Sequence, residues 1–210
     1  MNTSKTFEST LPEGYREVFH IDARNKRIGL ILNGVALGAF LLVLLLGLIP
    51  YMIVGFPRIE FDLLRFYLVY LGWFAALLLY LVLHELTHGV AYKGLTGARL
   101  TFGLSWSCAF CGVPQIYTYR RTALVALLSP FLLFSVLFLG MTVGFYFLNP
   151  ILYLASLALF GMHLGGCSGD LYMTYLLLVR FRKETLLMRD TGPEQWIYLP
   201  IDPLEDENNA

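Results

Sequence analysis

Charged residues are scarce in this chain of 210 residues, because Asp, Glu, Lys and Arg together make up only 14 % of it, against about 25 % in soluble domains. The 15 basic and 15 acidic residues balance, so net charge gives no reason to expect nucleic-acid binding. With three cysteines, the chain is not a small secreted domain built on a disulfide framework. Apolar residues make up 57 %, which excludes a disordered chain and argues against a soluble globular one.

Four long segments contain no Asp, Glu, Lys or Arg at all, namely residues 28–54, 66–83, 122–148 and 151–169. A helix needs about 20 mostly apolar residues to cross a bilayer. Because lipid offers no hydrogen-bond partners, such a segment must pair its own backbone groups, as a helix does. We therefore predict an all-α membrane protein with four transmembrane helices, over about residues 28–54, 66–92, 122–148 and 151–179.

These spans predict a single membrane-embedded domain over residues 28–190. A polar arm (1–27) precedes it and a polar tail (191–210) follows, whose acidic end we expect to be disordered. If the N-terminus is placed in the cytosol, all but Arg58 and Arg65 of the 15 Lys and Arg residues lie on the cytosolic side. The positive-inside rule therefore predicts cytosolic N- and C-termini.

The segment between the second and third spans alternates in polarity from Leu100 to Trp106, which is typical of a β-strand. We predict a short β-hairpin on the cytosolic side, with a turn near Cys111-Gly112 and a weaker second strand at 115–119. Cys108 and Cys111 form a C-x-x-C pair, but a structural zinc site needs four ligands. Incidental thiols in a turn are the first interpretation, with redox and metal roles left open.

The second span runs into His84-Glu85-Leu86-Thr87-His88, an H-E-x-x-H pattern. Residues four apart share one face of a helix, so His84 and His88 can present imidazoles to one zinc ion, and Glu85 can act as a general base. The alternative is a helix end with polar residues at the water interface. Ionisable groups within a span are expensive and usually functional, which favours the metal interpretation.

A third ligand is expected at the same depth, and Asp170 in the fourth span meets this condition. Asp170 lies nine residues before Val179, and His84 lies nine residues before Lys93, so both are about 13 Å inside the cytosolic ends of their helices. The alternative is an interfacial carboxylate paired with Arg180 or Arg182. His163, two helical turns before Asp170, could orient a ligand, contact substrate, replace Asp170 as a ligand, or simply bond to another helix.

Glycines four apart occur in three of the predicted spans, at Gly34/Gly38, Gly140/Gly144 and Gly161/Gly165. This spacing allows two helices to approach closely. We therefore predict helix packing at these positions. The glycines around Asp170 allow either close approach or local unwinding.

The order of these motifs resembles a bacterial family of membrane proteins known as putative zincin peptidases. The resemblance rests on the His84–Gly89 helix, the strand-like 100–106, the Cys108–Pro114 turn, Ser129-Pro130 and Gly169-Asp170, and it covers about residues 12–190. The arrangement is also similar to site-2 protease type intramembrane metalloproteases. That resemblance implies His84, His88 and Asp170 as zinc ligands and Glu85 as the base. Gly169-Asp170-Leu171 differs from the Leu-Asp-Gly of those proteases.

The sequence thus predicts a zinc-dependent intramembrane endopeptidase that hydrolyses a peptide bond of a membrane-associated protein. Its expected partners are that substrate and the lipid bilayer, with no nucleic acid, and the resemblance implies a bacterial plasma membrane. Two alternatives stay open. One is a non-enzymatic membrane protein that handles metal ions or protons with the same ionisable residues, and the other is a metal-stabilised scaffold.

Overall fold

The computed structural model describes residues 5–58, 62–106 and 108–201, and 63 % of these described residues are helical. The helices are α1 (Lys26–Val54), α2 (Leu63–Thr96), α3 (Arg120–Leu148), α4 (Pro150–Gly166) and α5 (Ser168–Tyr175), followed by a short π-helix (Leu176–Arg180). The strands are β1 (Phe7–Glu8), β2 (Tyr15–Asp22), β3 (Thr101–Leu104), β4 (Ala109–Gly112), β5 (Tyr117–Tyr119), β6 (Leu187–Asp190) and β7 (Glu194–Pro200).

Three of the helices, α1, α2 and α3, are long and apolar enough to cross a membrane. Many of their large side chains are exposed, including Leu30 (73 %), Ile53 (79 %) and Val54 (77 %). Apolar surface of this extent is unusual for a soluble monomer, whereas a lipid environment accounts for it. The segments predicted as the first three spans therefore lie in helices suited to a membrane.

The fourth predicted span is not one straight helix. It consists of α4 and a second helical segment (Ser168–Arg180), which meet at Cys167 at an angle of 41°. Of the two alternatives for the glycines around Asp170, close approach or local unwinding, an interruption of the helix is observed, since the α-helical run ends at Gly166 and resumes at Ser168. The start of α4 is capped by Asn149, whose side chain accepts hydrogen bonds from the amides of Ile151 and Leu152.

The chain forms two compact units, which are described separately. The first, the sheet unit, comprises Met1–Leu30, Glu85–Ser129 and Asp170–Ala210. Its main feature is a five-stranded antiparallel sheet in the order β1-β5-β6-β7-β2. A core cluster joins this sheet to α3, α5 and the π-helix, and its buried members are Ala123, Leu127, Met173, Leu176, Leu177, Leu186, Met188 and Ile197.

This sheet corrects the prediction of an all-α protein with one hairpin. The N-terminal arm, expected to be a polar extension, supplies β1 and β2, and the tail expected after residue 190 supplies β7. Strand β2 pairs with β7 from Tyr15↔Pro200 to Asp22↔Glu194. The acidic end of the tail lies outside the described residues.

The predicted hairpin exists, but its turn was misplaced. Strand β3 pairs with β4 from Thr101↔Gly112 to Leu104↔Ala109, so Cys111-Gly112 is part of a strand and the turn precedes it. Ser105 holds that turn, because its hydroxyl donates to the Cys108 carbonyl and accepts from the Cys108 amide. The run at 115–119, expected to be the second strand, instead forms β5 and pairs with β1 and β6.

The second unit, the helical unit, comprises Ile31–His84 and Pro130–Gly169. The prediction of close packing holds for Gly161 and Gly165, where an added Cβ would collide with Phe40 and Ala36 of α1 respectively. No such contact is observed for Gly34, Gly38, Gly140 and Gly144, whose Cβ positions meet no atom of the described residues within 4 Å.

Candidate metal centre

The H-E-x-x-H residues lie in the uninterrupted helix α2. His84 and His88 are both buried, at 7 % and 6 % exposure, and Glu85 is half-buried. Because a helix has 3.6 residues per turn, residues 84 and 88 lie about one turn apart on one face. The local helix thus sets the two imidazoles of the motif side by side along α2.

In the sheet unit, His88 contacts the candidate third ligand. The His88 Nε2 atom lies 3.4 Å from Asp170 Oδ2, although the two residues are far apart in the sequence. Asp170 is in the first turn of α5, just after the helix break at Cys167. The break therefore starts a new helix whose first turn carries the carboxylate to His88.

The other ring nitrogen of His88 is fixed by the backbone of α3. Nδ1 lies 2.9 Å from the Ala126 carbonyl oxygen. A carbonyl oxygen only accepts hydrogen bonds, so Nδ1 carries a proton, and Nε2, which faces Asp170, is the nitrogen left for a metal ion. A hydrogen bond of this kind on the remote nitrogen is typical of metal-binding histidines, because it fixes the tautomer and the ring orientation.

In the helical unit, His84 belongs to a chain of buried polar groups. Its Nδ1 lies 3.1 Å from the Tyr80 hydroxyl, which is also 2.9 Å from His163 Nδ1. His163 is completely buried. Its Nε2 lies 3.0 Å from Ser135 Oγ and 3.3 Å from the Phe131 carbonyl oxygen. Of the roles considered for His163, contact with other helices is thus observed directly.

A second group of metal-binding side chains in this unit consists of His84, His163 and Cys167, whose ligand atoms lie within 4.8 Å of one another. Both ring nitrogens of His163 already have hydrogen-bond partners, on α2 and on α3. A metal ion at this second group would have to break one of these buried bonds, and leaving a buried polar group unsatisfied costs about 1–3 kcal/mol. His163 is therefore better suited to positioning than to ligation.

Of the C-x-x-C pair, Cys111 is poorly suited to a reactive or metal-binding role. Neither of the two described cysteines is in a disulfide. Burial raises the pKa of the Cys111 thiol to about 12, and the carboxylates of Glu85 and Asp190 add to the effect. The thiolate is the species that ligates metals and attacks disulfides, so the redox and metal roles left open for Cys111 are disfavoured.

The hairpin packs directly on the motif helix within the sheet unit. A Cβ built on Gly89 would come within 2.9 Å of the Phe102 ring and 3.0 Å of Leu100. Gly89 lies four residues after Glu85, on the same helix face. The missing side chain therefore lets the β3–β4 hairpin lie against the helix one turn from the candidate base.

Sequence reasoning missed three buried polar residues near the motif, namely Tyr80, Tyr92 and Asp190. The Tyr92 hydroxyl donates to Asp190 Oδ2 at 2.7 Å, and Asp190 Oδ1 accepts from the Gly192 amide at 2.8 Å. Burial raises the pKa of Asp190 to about 6, against these hydrogen bonds. A signal for the tyrosines was available, because Tyr80, His84, His88 and Tyr92 recur every four residues along α2.

Comparison with known families gives one match. A family model described as "Putative zincin peptidase" matches residues 77–186, which is just over half of the chain. The matched region begins three residues before Tyr80 and includes the H-E-x-x-H motif, the hairpin and Asp170. Comparisons with curated proteins and with solved structures find no match.

Proposed function

Since the chain belongs to the family described as putative zincin peptidases, we propose that it is a zinc-dependent endopeptidase that cleaves a membrane-associated protein within the bilayer. The observation that carries this proposal is the contact of 3.4 Å between His88 Nε2 and Asp170 Oδ2. It joins the H-E-x-x-H helix to a carboxylate that lies 82 positions further along the chain.

The proposed donor atoms fit zinc in type, and the pair His88–Asp170 fits it in spacing as well. Two imidazoles and one carboxylate, from His84, His88 and Asp170, form a donor set of the kind found in catalytic zinc sites with an open fourth position. Two ligands at about 2.0–2.1 Å from a tetrahedral ion are roughly 3.3–3.4 Å apart, which matches the observed 3.4 Å. A direct charge-assisted hydrogen bond would be shorter, at about 2.7–2.9 Å.

Each remaining polar group then has a role in hydrolysis. A zinc ion, when bound, supplies a Lewis acid that activates water and polarises the scissile carbonyl. Glu85 removes the proton from the attacking water as general base and returns it to the leaving amine as general acid. The Ala126 carbonyl and the Tyr80 hydroxyl hold the imidazoles of His88 and His84 in place.

The location within the membrane is supported by the helix that carries the motif. Helix α2 is long and apolar enough to cross a bilayer, and the histidines lie in its interior rather than at its end. We propose four spans, with α4 and the following bent segment forming the fourth, and with both termini in the cytosol of a bacterial cell. Broken helices of this kind occur in membranes where they line an internal site. The proposed residues, two histidines and a glutamate on one span and an aspartate on a later one, resemble those of site-2 protease type enzymes.

The hairpin is the proposed substrate-binding element. It lies on the helix face that carries Glu85 and Gly89, and Leu104 of β3 is 83 % exposed. An extended substrate segment can add to such a strand by backbone hydrogen bonds. Extension of the substrate would also expose its peptide bond to Glu85. In a helical substrate the same peptide bond would remain hydrogen-bonded within the helix.

The test is the variant Glu85→Gln in the source organism. We expect new protein N-termini in membranes of cells with the parent protein, detected by N-terminal labelling and mass spectrometry, and their absence in Glu85→Gln. Loss of a general base typically slows a reaction by about 10²–10⁴-fold, while the zinc content should be unchanged. The control is Glu17→Gln in the exposed part of β2, which should cleave normally. Identical N-termini in parent and Glu85→Gln would refute the proposal.

A second candidate function is supported by the buried chain in the helical unit. Ser135, His163, Tyr80 and His84 are linked by successive hydrogen bonds of 2.9–3.1 Å, an arrangement that can also conduct protons across part of a membrane. This alternative is a metal- or proton-handling protein without catalysis. It predicts ion flux into liposomes that Asp170→Asn abolishes and Glu85→Gln leaves intact.

A further inference from the structure

We propose that Tyr80 and His163 form a relay that fixes the tautomer of His84 so that its Nε2 atom presents the lone pair to zinc. This inference rests on the proposed function, because it assumes His84 as a ligand. Tyr80 and His163 are then positioning residues that act through His84. Tyr80, His163 and His84 all lie within the helical unit.

The direction of the relay is set at its α3 end. His163 Nε2 lies 3.0 Å from Ser135 Oγ, which can donate or accept, and 3.3 Å from the Phe131 carbonyl oxygen, which can only accept. A hydrogen bond to the carbonyl requires the proton on Nε2, and the serine hydroxyl can then accept as well. Nε2 of His163 therefore carries the ring proton, and its Nδ1 is an acceptor in the neutral ring. The Cys167 thiol, 3.6 Å from the same Nδ1, is a weak donor and is consistent with this tautomer.

The proton positions of the next two groups follow from that one. Because His163 Nδ1 accepts, the Tyr80 hydroxyl donates to it across 2.9 Å. The Tyr80 oxygen has then used its only proton, so it accepts from His84 Nδ1 across 3.1 Å. His84 is thereby held with the proton on Nδ1 and the lone pair on Nε2.

Both motif histidines thus carry the proton on Nδ1, although different partners fix it there. The Ala126 carbonyl fixes the proton on Nδ1 of His88, and the relay fixes it on Nδ1 of His84. The opposite tautomer of His84 would place a proton on Nε2, which would have to be displaced before a metal could bind there. Groups that orient a metal ligand in this way typically change metal affinity by about 10–100-fold.

The relay residues are rigidly held, which makes them suitable for this role. Tyr80 is 5 % exposed and His163 is fully buried. The Tyr80 ring packs edge-on against Phe134 and Phe138, with centroids 5.2 and 5.3 Å away. Removal of the hydroxyl alone, in Tyr80→Phe, should keep this aromatic packing and the fold.

The experiment measures zinc affinity in detergent-purified protein by competition with a chromophoric chelator. We expect Tyr80→Phe to bind zinc about 10–100-fold more weakly than the parent. The matched control is Tyr153→Phe, which removes another buried hydroxyl of the same unit, one that donates to the Gly47 carbonyl; it should bind zinc as the parent does. A purely structural role of Tyr80 would lower thermal stability without this selective loss of affinity.

A second readout needs no metal. In the zinc-free parent, the ¹⁵N spectrum of the histidine side chains should show the proton on Nδ1 of His84 and on Nε2 of His163, and Tyr80→Phe should disturb the His84 pattern. If Tyr80→Phe keeps parental zinc affinity while His88→Ala loses zinc, the relay is refuted and the proposed function stands. If the parent itself binds no zinc, the proposed function fails, and the tautomers still decide whether the relay exists.

Discussion

Replacement of the buried carboxylate at Asp190 should change how the stability of the protein depends on pH. Asp190 is 3 % exposed and its pKa is raised to about 6 by burial. An Asp side chain in an unfolded chain has a pKa of about 3.9. The folded state therefore binds the proton more tightly than the unfolded state, and ionisation of Asp190 destabilises the fold as pH rises.

The size of the effect follows from the pKa difference. A difference of about two pKa units corresponds to about 3 kcal/mol in the free energy of unfolding. About 2 kcal/mol of this falls between pH 4.5 and pH 7.5, which is roughly 4–8 °C in Tm for a chain of this size. Asp190→Asn lacks the titration but keeps an oxygen that can accept from Tyr92, so its Tm should not show this decrease.

The assay is thermal unfolding in detergent, followed by tryptophan fluorescence at several pH values, with the difference between parent and Asp190→Asn as the quantity of interest. Asp22→Asn is the control. Burial opposes ionisation there too, but hydrogen bonds and the charge of Arg24 outweigh it and lower the pKa of Asp22, so this variant should lose stability at neutral pH. Parallel Tm curves for the parent and Asp190→Asn would refute the reasoning about the buried carboxylate.

Two further predictions concern the hairpin. Gly112→Ala should destabilise the protein by about 1–3 kcal/mol, because its Cβ would overlap the backbone of Thr191 and Gly192. The control is Gly94→Ala in α2, which should be neutral or stabilising, because its Cβ would meet no described atom within 4 Å. Equal losses of Tm in the two variants would contradict this prediction. Cys111, with its pKa of about 12, should resist labelling by maleimide at pH 8, whereas half-buried Cys108 should react. Peptide mapping measures the labelling of each thiol, and rapid labelling of Cys111 would contradict its burial.

The sequence predicted the helices well because their signal is local. Long uncharged runs exclude other structures in lipid, and α1, α2 and α3 were found close to where these runs lie. The spacing of His84 and His88 was equally local. The break before Asp170 was suggested by glycines alone, but the angle of 41° depends on packing and is not encoded in any short segment.

The five-stranded sheet was missed because its pairings join the two ends of the chain. Strand β2 pairs with β7 across more than 170 residues, and no local pattern reveals such a partner. A signal did exist in the tail, where Trp196 to Leu199 form an apolar run, but the polar surroundings suggested a polar tail without a strand. The turn was misplaced at Gly112 because glycine is common in turns; here the glycine is required by the close approach of the β6–β7 turn.

The central claim is that one zinc ion is held by His84, His88 and Asp170, and metal analysis of the purified protein tests it most directly. We predict about one zinc per folded chain, lost or greatly reduced in His84→Ala, His88→Ala and Asp170→Asn. Glu85→Gln should retain zinc, as should the control His20→Ala, whose imidazole stacks on Trp196 in the sheet. A folded parent that binds no zinc after reconstitution, or an Asp170→Asn variant with parental zinc content, would contradict the account.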